Sequence, residues 1–111
     1  LIRQEEQQLY EYDEYKLQIR RLDFGKKRGI YEFSTYDPET KDTPPSWGLH
    51  PYAEVGVILE GKMEVNLDGT VYLLGPGDSI YIKPNLYHTM RNAGDTPCRS
   101  FWHLQIMDDS V

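Results

Sequence analysis

Apolar and polar residues alternate with a period of two along most of this 111-residue chain, the spacing of strands that bury one face. Between Tyr15 and Phe24, the residues Tyr15, Leu17 and Ile19 alternate with Lys16, Gln18 and Arg20. From Ile30 to Tyr36, Tyr31, Phe33 and Thr35 alternate with Glu32 and Ser34, and the polar stretch Asp37 to Ser46 then reads as a loop. Glu54 to Leu59 is a nearly continuous apolar run ending at Gly61, after which Met63, Val65 and Leu67 point one way and Lys62, Glu64, Asn66 and Asp68 the other. Asp68-Gly69 supplies the positive φ values of a tight type I′ hairpin, with Val71 to Leu74 as its return strand. Further strands are expected at Ser79 to Ile82, Tyr87 to Arg91 and Arg99 to Met107, separated by turns rich in Gly, Pro, Asn and Asp. About eight short strands at this spacing predict an all-β barrel or jelly roll, and no amphipathic helix of ordinary length interrupts them.

Length allows one domain with one core. The pattern divides the chain into a polar lead-in at 1–14, a barrel at 15–107 and an acidic tail at 108–111, with Glu5-Glu6 and Asp108-Asp109 as solvated ends. A chain opening on Leu1 with a polar run is expected to be a piece of a longer protein, its lead-in a linker from a preceding domain. The formal net charge of −6 offers no basic footprint for a phosphate backbone or an anionic membrane. Cys98 is the only cysteine, which excludes an internal disulfide and agrees with a reducing, cytoplasmic location. No apolar stretch approaches a membrane span, and no signal-peptide pattern opens the chain.

Three residues stand out chemically. His50 and Glu54 are four apart in a segment that Pro51 and the following Val55, Gly56 and Val57 make extended rather than helical. His88 lies on another strand, with Met90 and Asn92 on the same side. Two imidazoles and one carboxylate from neighbouring strands can form the facial triad that leaves open positions on a divalent metal. The plainer alternative is that each histidine is hydrogen-bonded in a polar barrel mouth; Glu54 could also pair with a cationic effector. Tyr52, Tyr81, Tyr87, Met90 and Trp102 could line a cavity or simply fill the core, and Trp47 and Tyr52 gain weight by flanking the histidine. His103, between Trp102 and Leu104, is left out of the site. Cys98 beside Pro97 carries no sign of a reactive thiolate.

The segment from Gly48 to Gly61, GLHPYAEVGVILEG, resembles the first cupin motif, H-x-H-x3-4-E-x6-G, with His50, Glu54 and Gly61 in register. The segment from Gly77 to Asn92, GDSIYIKPNLYHTMRN, resembles the second, G-x5-P-x-G-x2-H-x3-N, with Gly77, His88 and Asn92 in register. Gly48 stands where the first histidine belongs, Lys83 where a proline belongs and Asn85 where a glycine belongs. Asn85 can adopt the left-handed conformation that glycine would supply, whereas Gly48 reduces a four-ligand set to three.

Within the cupins the chain is most similar to the sensor domain of helix-turn-helix (XRE-type) transcriptional regulators. The resemblance rests on His50-Pro51, Glu54, Ile58 to Gly61, Gly77 to Tyr81, Tyr87-His88, Arg91-Asn92 and Phe101-Trp102. It implies a double-stranded β-helix (jelly-roll) barrel holding a small-molecule effector near His50, Glu54 and His88, with Trp47, Tyr52, Met90 and Trp102 around it. It also implies a homodimer, contact with DNA only through a domain outside this chain, and a three-ligand position for Fe, Mn, Zn or Ni that could equally be empty. No residue is assigned a catalytic role on this reading. Because the family includes a phosphonate epoxidase that holds iron with an H-x-x-x-E and a distal histidine, the rival is a small Fe(II) oxygenase or isomerase-like enzyme.

Overall fold

The computed structural model describes residues 1–38, 42–44 and 47–106, and the expected acidic tail, with Met107, lies outside them. Among the described residues, nine strands form the molecule: β1 (Gln8–Tyr12), β2 (Leu17–Asp23), β3 (Ile30–Tyr36), β4 (Ala53–Glu60), β5 (Met63–Leu67), β6 (Thr70–Leu74), β7 (Ser79–Ile82), β8 (His88–Asn92) and β9 (Cys98–Gln105). They pair antiparallel in two sheets, one ordered β1-β2-β3-β9-β4-β7 and the other β6-β5-β8. Leu17, Tyr36, Ile58, Ile82, Cys98 and Trp102 of the larger sheet pack against Met63, Val65 and Met90 of the smaller one. This is the all-β jelly roll that the turn spacing predicts. The Asp68-Gly69 hairpin forms as expected, both residues having positive φ between the paired strands β5 and β6.

Two features depart from the hydrophobic pattern. The lead-in contains a strand: β1 pairs with β2 from Gln8↔Arg21 to Tyr12↔Leu17. Its sequence, Gln-Leu-Tyr-Glu-Tyr, has too few apolar residues to announce a strand, yet an edge strand needs only one usable face, and here Tyr10 and Tyr12 turn toward the interior. The second departure is in β3. Its period of two is correct, but Glu32, Ser34 and Tyr36 face the interior. Tyr31 and Phe33 stand on the outer face with β9, where Tyr31 stacks on Phe101 and on His103 and Phe33 packs on Phe101. The reason is that this part of the interior is a polar cavity rather than a dry core. Ser34 is satisfied there by a hydrogen bond to Ser100 directly across the β3–β9 ladder.

The proline-bearing loop after β3 is tied to the smaller sheet. The Thr43 amide donates to the Met90 carbonyl at 3.0 Å, and the Met90 amide donates to Thr43 Oγ1 at 3.1 Å. This exchange carries the chain across β8 and delivers Trp47 to the mouth of the barrel. No helix among the described residues is long and apolar enough to cross a membrane.

Candidate metal and ligand site

The segment Trp47 to Tyr52 reaches β4 by passing over the start of β8. The Asn85 amide donates to the His50 carbonyl at 2.8 Å, with Asn85 in the left-handed region at φ 60, so asparagine does here what the motif glycine does. Asn85→Gly is expected to be tolerated, whereas Asn85→Val should cost about 1–2 kcal/mol, read as a lowered midpoint in urea denaturation. At the far end of β8 Asn92 has a structural role, its Nδ2 donating to the carbonyls of Tyr36 and Thr96 and its Oδ1 accepting from the Gly94 amide.

His50, Glu54 and His88 converge as the two motifs predict. One ligand atom from each lies within 4.8 Å of the others. Glu54 Oε2 is 3.2 Å from His88 Nε2 and 3.6 Å from His50 Nε2, and all three side chains are at most 14% exposed. His50 Nδ1 lies 2.8 Å from the Tyr52 carbonyl and His88 Nδ1 lies 2.9 Å from the Leu86 carbonyl. A carbonyl can only accept, so each Nδ1 carries a proton and donates it, and each neutral imidazole presents a bare Nε2 lone pair to the carboxylate. Three acceptors therefore face one another, an arrangement that is repulsive until a cation sits among them. That cation is a proton, making one imidazole an imidazolium, or a metal ion. The backbone carbonyls have the role of the outer partners that fix ring orientation in metal sites. The Tyr52 ring, stacked on His50 at 3.9 Å between centroids, holds the ring from its face.

The charges respond accordingly. Burial pushes the Glu54 carboxyl up, but its contacts with the His50 and His88 rings, attractive once an imidazole is protonated, outweigh it and hold the group at about 2. His50 is raised above the ordinary imidazole value, chiefly by its contact with Glu54 and against the lowering effect of burial. Glu54 thus stays ionised at any physiological pH. The donor set fits a divalent cation of the transition series, which two imidazoles and a carboxylate bind while leaving positions open for a further ligand.

Next to this cluster lies a cavity of about 360 Å³ whose lining includes Trp47, Gly48, Tyr52, Glu54, His88, Met90 and Trp102. Trp47, Tyr52, Met90 and Trp102, expected around the ligand, all line it, and His50 reaches the shared Glu54 oxygen from beside it. Trp47 is tethered at the mouth by Tyr12 and Tyr15, at 4.7 and 5.3 Å between ring centroids. Tyr81 and Tyr87 are not among the lining residues and are exposed. His103 lies on the outer face, and the buried Cys98 thiol is pushed up to about 11 by burial, which makes it inert. The hydrophobic pattern missed Tyr10, Tyr12, Arg21, Glu32 and Ser34, all of which line the cavity. Arg21 was within reach, because it continues the Leu17 and Ile19 side of β2. Glu32 was masked by the aromatic residues on either side of it.

Fold and site together define a class: a small antiparallel β-barrel with a cluster of two histidines and one carboxylate at its interior that could hold a metal ion. The chain belongs to the cupin family, whose Cupin domain (Cupin_2) profile matches residues 32–104. Among curated proteins it is similar to polyketide synthase CurC of Streptomyces cyaneus, 39% identical over 56 residues that cover 50% of this chain and 36% of that protein. The chain spans well under half of the curated relatives it matches. Among solved structures it resembles the Cupin_2 domain of an XRE family transcriptional regulator from Enterobacter cloacae. There the TM-score is 0.71 at 14% identity, over 84% of this chain and 99% of that one. A recombinant oxalate oxidase in complex with glycolate is similar at TM-score 0.71 and 18% identity, over 82% of this chain and 51% of that one. At these identities the structures share the fold alone.

Proposed function

We propose that this chain is a ligand-binding cupin in which a divalent cation on His50, Glu54 and His88 anchors a small molecule in the adjoining cavity, and that it is the sensor domain of a transcriptional regulator. The observation that carries the metal-assisted part is the set of three facing acceptors, two imidazole Nε2 atoms and Glu54 Oε2, with both Nδ1 protons committed to backbone carbonyls. The metal would supply a Lewis-acidic point for an oxygen or nitrogen of the ligand. The chain's own residues orient the imidazoles, keep Glu54 ionised and wall the cavity. In the sensor reading a domain outside this segment contacts DNA, and the bound ligand shifts a dimer between arrangements by binding one of them more tightly. The solved regulator domain that this chain spans almost end to end supports that reading.

The second reading, a small metal-dependent oxygenase or isomerase-like enzyme, draws on the same open coordination positions and on the likeness to oxalate oxidase. Elemental analysis of protein purified without chelator tests the shared premise. About one divalent ion per chain is expected, lost in a His88→Ala variant that keeps its β-sheet circular dichroism; wild-type protein that takes up no Fe, Mn, Zn or Ni at micromolar concentration would overturn it. The gene sequence preceding Leu1 tests the sensor reading. A helix-turn-helix domain there supports it, and its absence sinks it in favour of the enzyme.

A further inference from the structure

The cavity has a second charged end, away from the histidines. Arg21 on β2 and Glu32 on β3 are direct partners across the ladder and both face the interior. Glu32 Oε2 accepts from Arg21 Nε at 2.8 Å and lies 2.6 Å from Nη2. The guanidinium is thereby fixed along one edge, while Nη1 has no hydrogen-bond partner among the described residues. Tyr10, whose ring centroid is 5.7 Å from Arg21 Cζ, closes the site from β1. Among the described residues Arg21 is the only Lys or Arg in the lining.

Between this pair and the metal cluster lies Trp102. On β9 it is the direct neighbour of Glu32 on one side and of Gly56 on the other. A Cβ on Gly56 would come within 2.4 Å of the indole, so the missing side chain lets the ring lie against β4. The ring's Nε1 is taken by Ser100 Oγ at 2.8 Å. The indole is therefore an apolar floor with a guanidinium at one end and a cation receptor at the other.

Charge balance selects what fits. Among the described lining residues, two carboxylates, Glu32 and Glu54, and one guanidinium sum to one negative charge, and a divalent cation at the histidines would turn that into one positive charge for a ligand to neutralise. An arginine presented edge-on, with one amino group free and its opposite edge already braced, suits a carboxylate better than a neutral group. We propose that the cavity takes a small organic acid whose carboxylate pairs with Arg21 and whose body crosses Trp102 toward His50, Glu54 and His88. This rests on the ligand-binding reading above and adds the chemical class of the ligand.

The test uses the zinc-loaded chain and two matched probes, benzoate and benzyl alcohol, followed by the Arg21 Nε–H and Trp102 Nε1–H resonances in ¹⁵N-correlated spectra. Benzoate is expected to shift both signals saturably in the millimolar range and to bind at least about 10-fold more tightly than the alcohol. Arg21→Gln should lose that preference while still holding one zinc per chain. Should the loss of its partner leave Glu32 unpaired and unfold the variant, Arg21→Gln combined with Glu32→Gln keeps a neutral pair in place. Equal affinity for the two probes, no binding of either, or unchanged benzoate binding in the folded variant overturns the proposal. Zinc content reports separately on the metal reading: a chain without zinc that still prefers benzoate through Arg21 would sink that reading and leave this one standing.

Discussion

Glu54→Gln is expected to weaken divalent-cation binding by at least about 100-fold, since even the outer partners of metal ligands are worth about 10- to 100-fold. The amide keeps the shape of the carboxylate but removes the single anion that two Nε2 lone pairs face across 3.2 and 3.6 Å. The same substitution should reshape the pH dependence of stability in chelator-treated protein. The folded carboxyl sits at about 2, below its unfolded value of about 4.3. Its contribution is therefore complete above the unfolded value and is lost as the pH falls toward 2. His50 is raised above 6.5, so its contribution is complete below 6.5 and is lost as the pH rises through the folded value. The metal-free protein should accordingly be most stable between about pH 4.5 and 6.5, where the imidazolium and the carboxylate coexist. Glu54→Gln should flatten that maximum, and excess zinc should shift it to higher pH, because metal and proton compete for the same lone pairs. Urea denaturation from pH 3 to 8, with and without zinc, reads all three effects. An unchanged zinc affinity or an unaltered pH curve in the variant would remove Glu54 from the ligand set.

How much of this was legible beforehand follows the physics of each signal. The strands from β2 to β9 appear in the sequence because alternation and turn residues are local, and Asp68-Gly69 or Gly75-Pro76-Gly77 leave few other conformations open. The triad was legible because spacing alone puts His50 and Glu54 on one side of an extended segment, while the second motif brings His88 to the facing sheet. Strand β1 was not, since its stability comes from the β2 edge rather than from its own composition. The inward side of β3 was misjudged for a related reason. Hydrophobic periodicity assumes a dry interior, and the cavity makes Glu32 and Ser34 the interior residues while Phe33, at 36% exposure, sits outside. Arg21 is instructive because its parity was visible, but a charged residue at the end of a strand is most simply read as solvated. Only the register that sets it opposite Glu32 shows otherwise.

Gly48→His, the substitution that would complete the four-ligand motif on paper, is expected to destabilise the barrel by about 2–4 kcal/mol and to weaken metal binding rather than strengthen it. The obstacle is backbone, not side chain: a Cβ on residue 48 would lie 1.7 Å from the His88 carbonyl oxygen and 3.0 Å from its amide nitrogen. The neighbouring strand cannot yield as a flexible side chain could, because β8 is held to β5 over the whole run from Leu67↔His88 to Met63↔Asn92. Accommodation would have to move the Trp47 to His50 segment outward, and with it the Asn85 contact that positions His50. Gly48→Ala separates the two contributions, since it carries the clash without a new ligand and should cost nearly as much stability as the histidine. Calorimetric titration of zinc into both variants, alongside their urea midpoints, provides the comparison. A Gly48→His protein that folds normally and binds zinc more tightly than wild type would mean that the segment is free to move. The three-ligand site would then be an accident of one residue. If instead both variants lose stability together, the close approach of residue 48 to β8 is what bars a side chain from that position and limits the proposed ligand set to His50, Glu54 and His88.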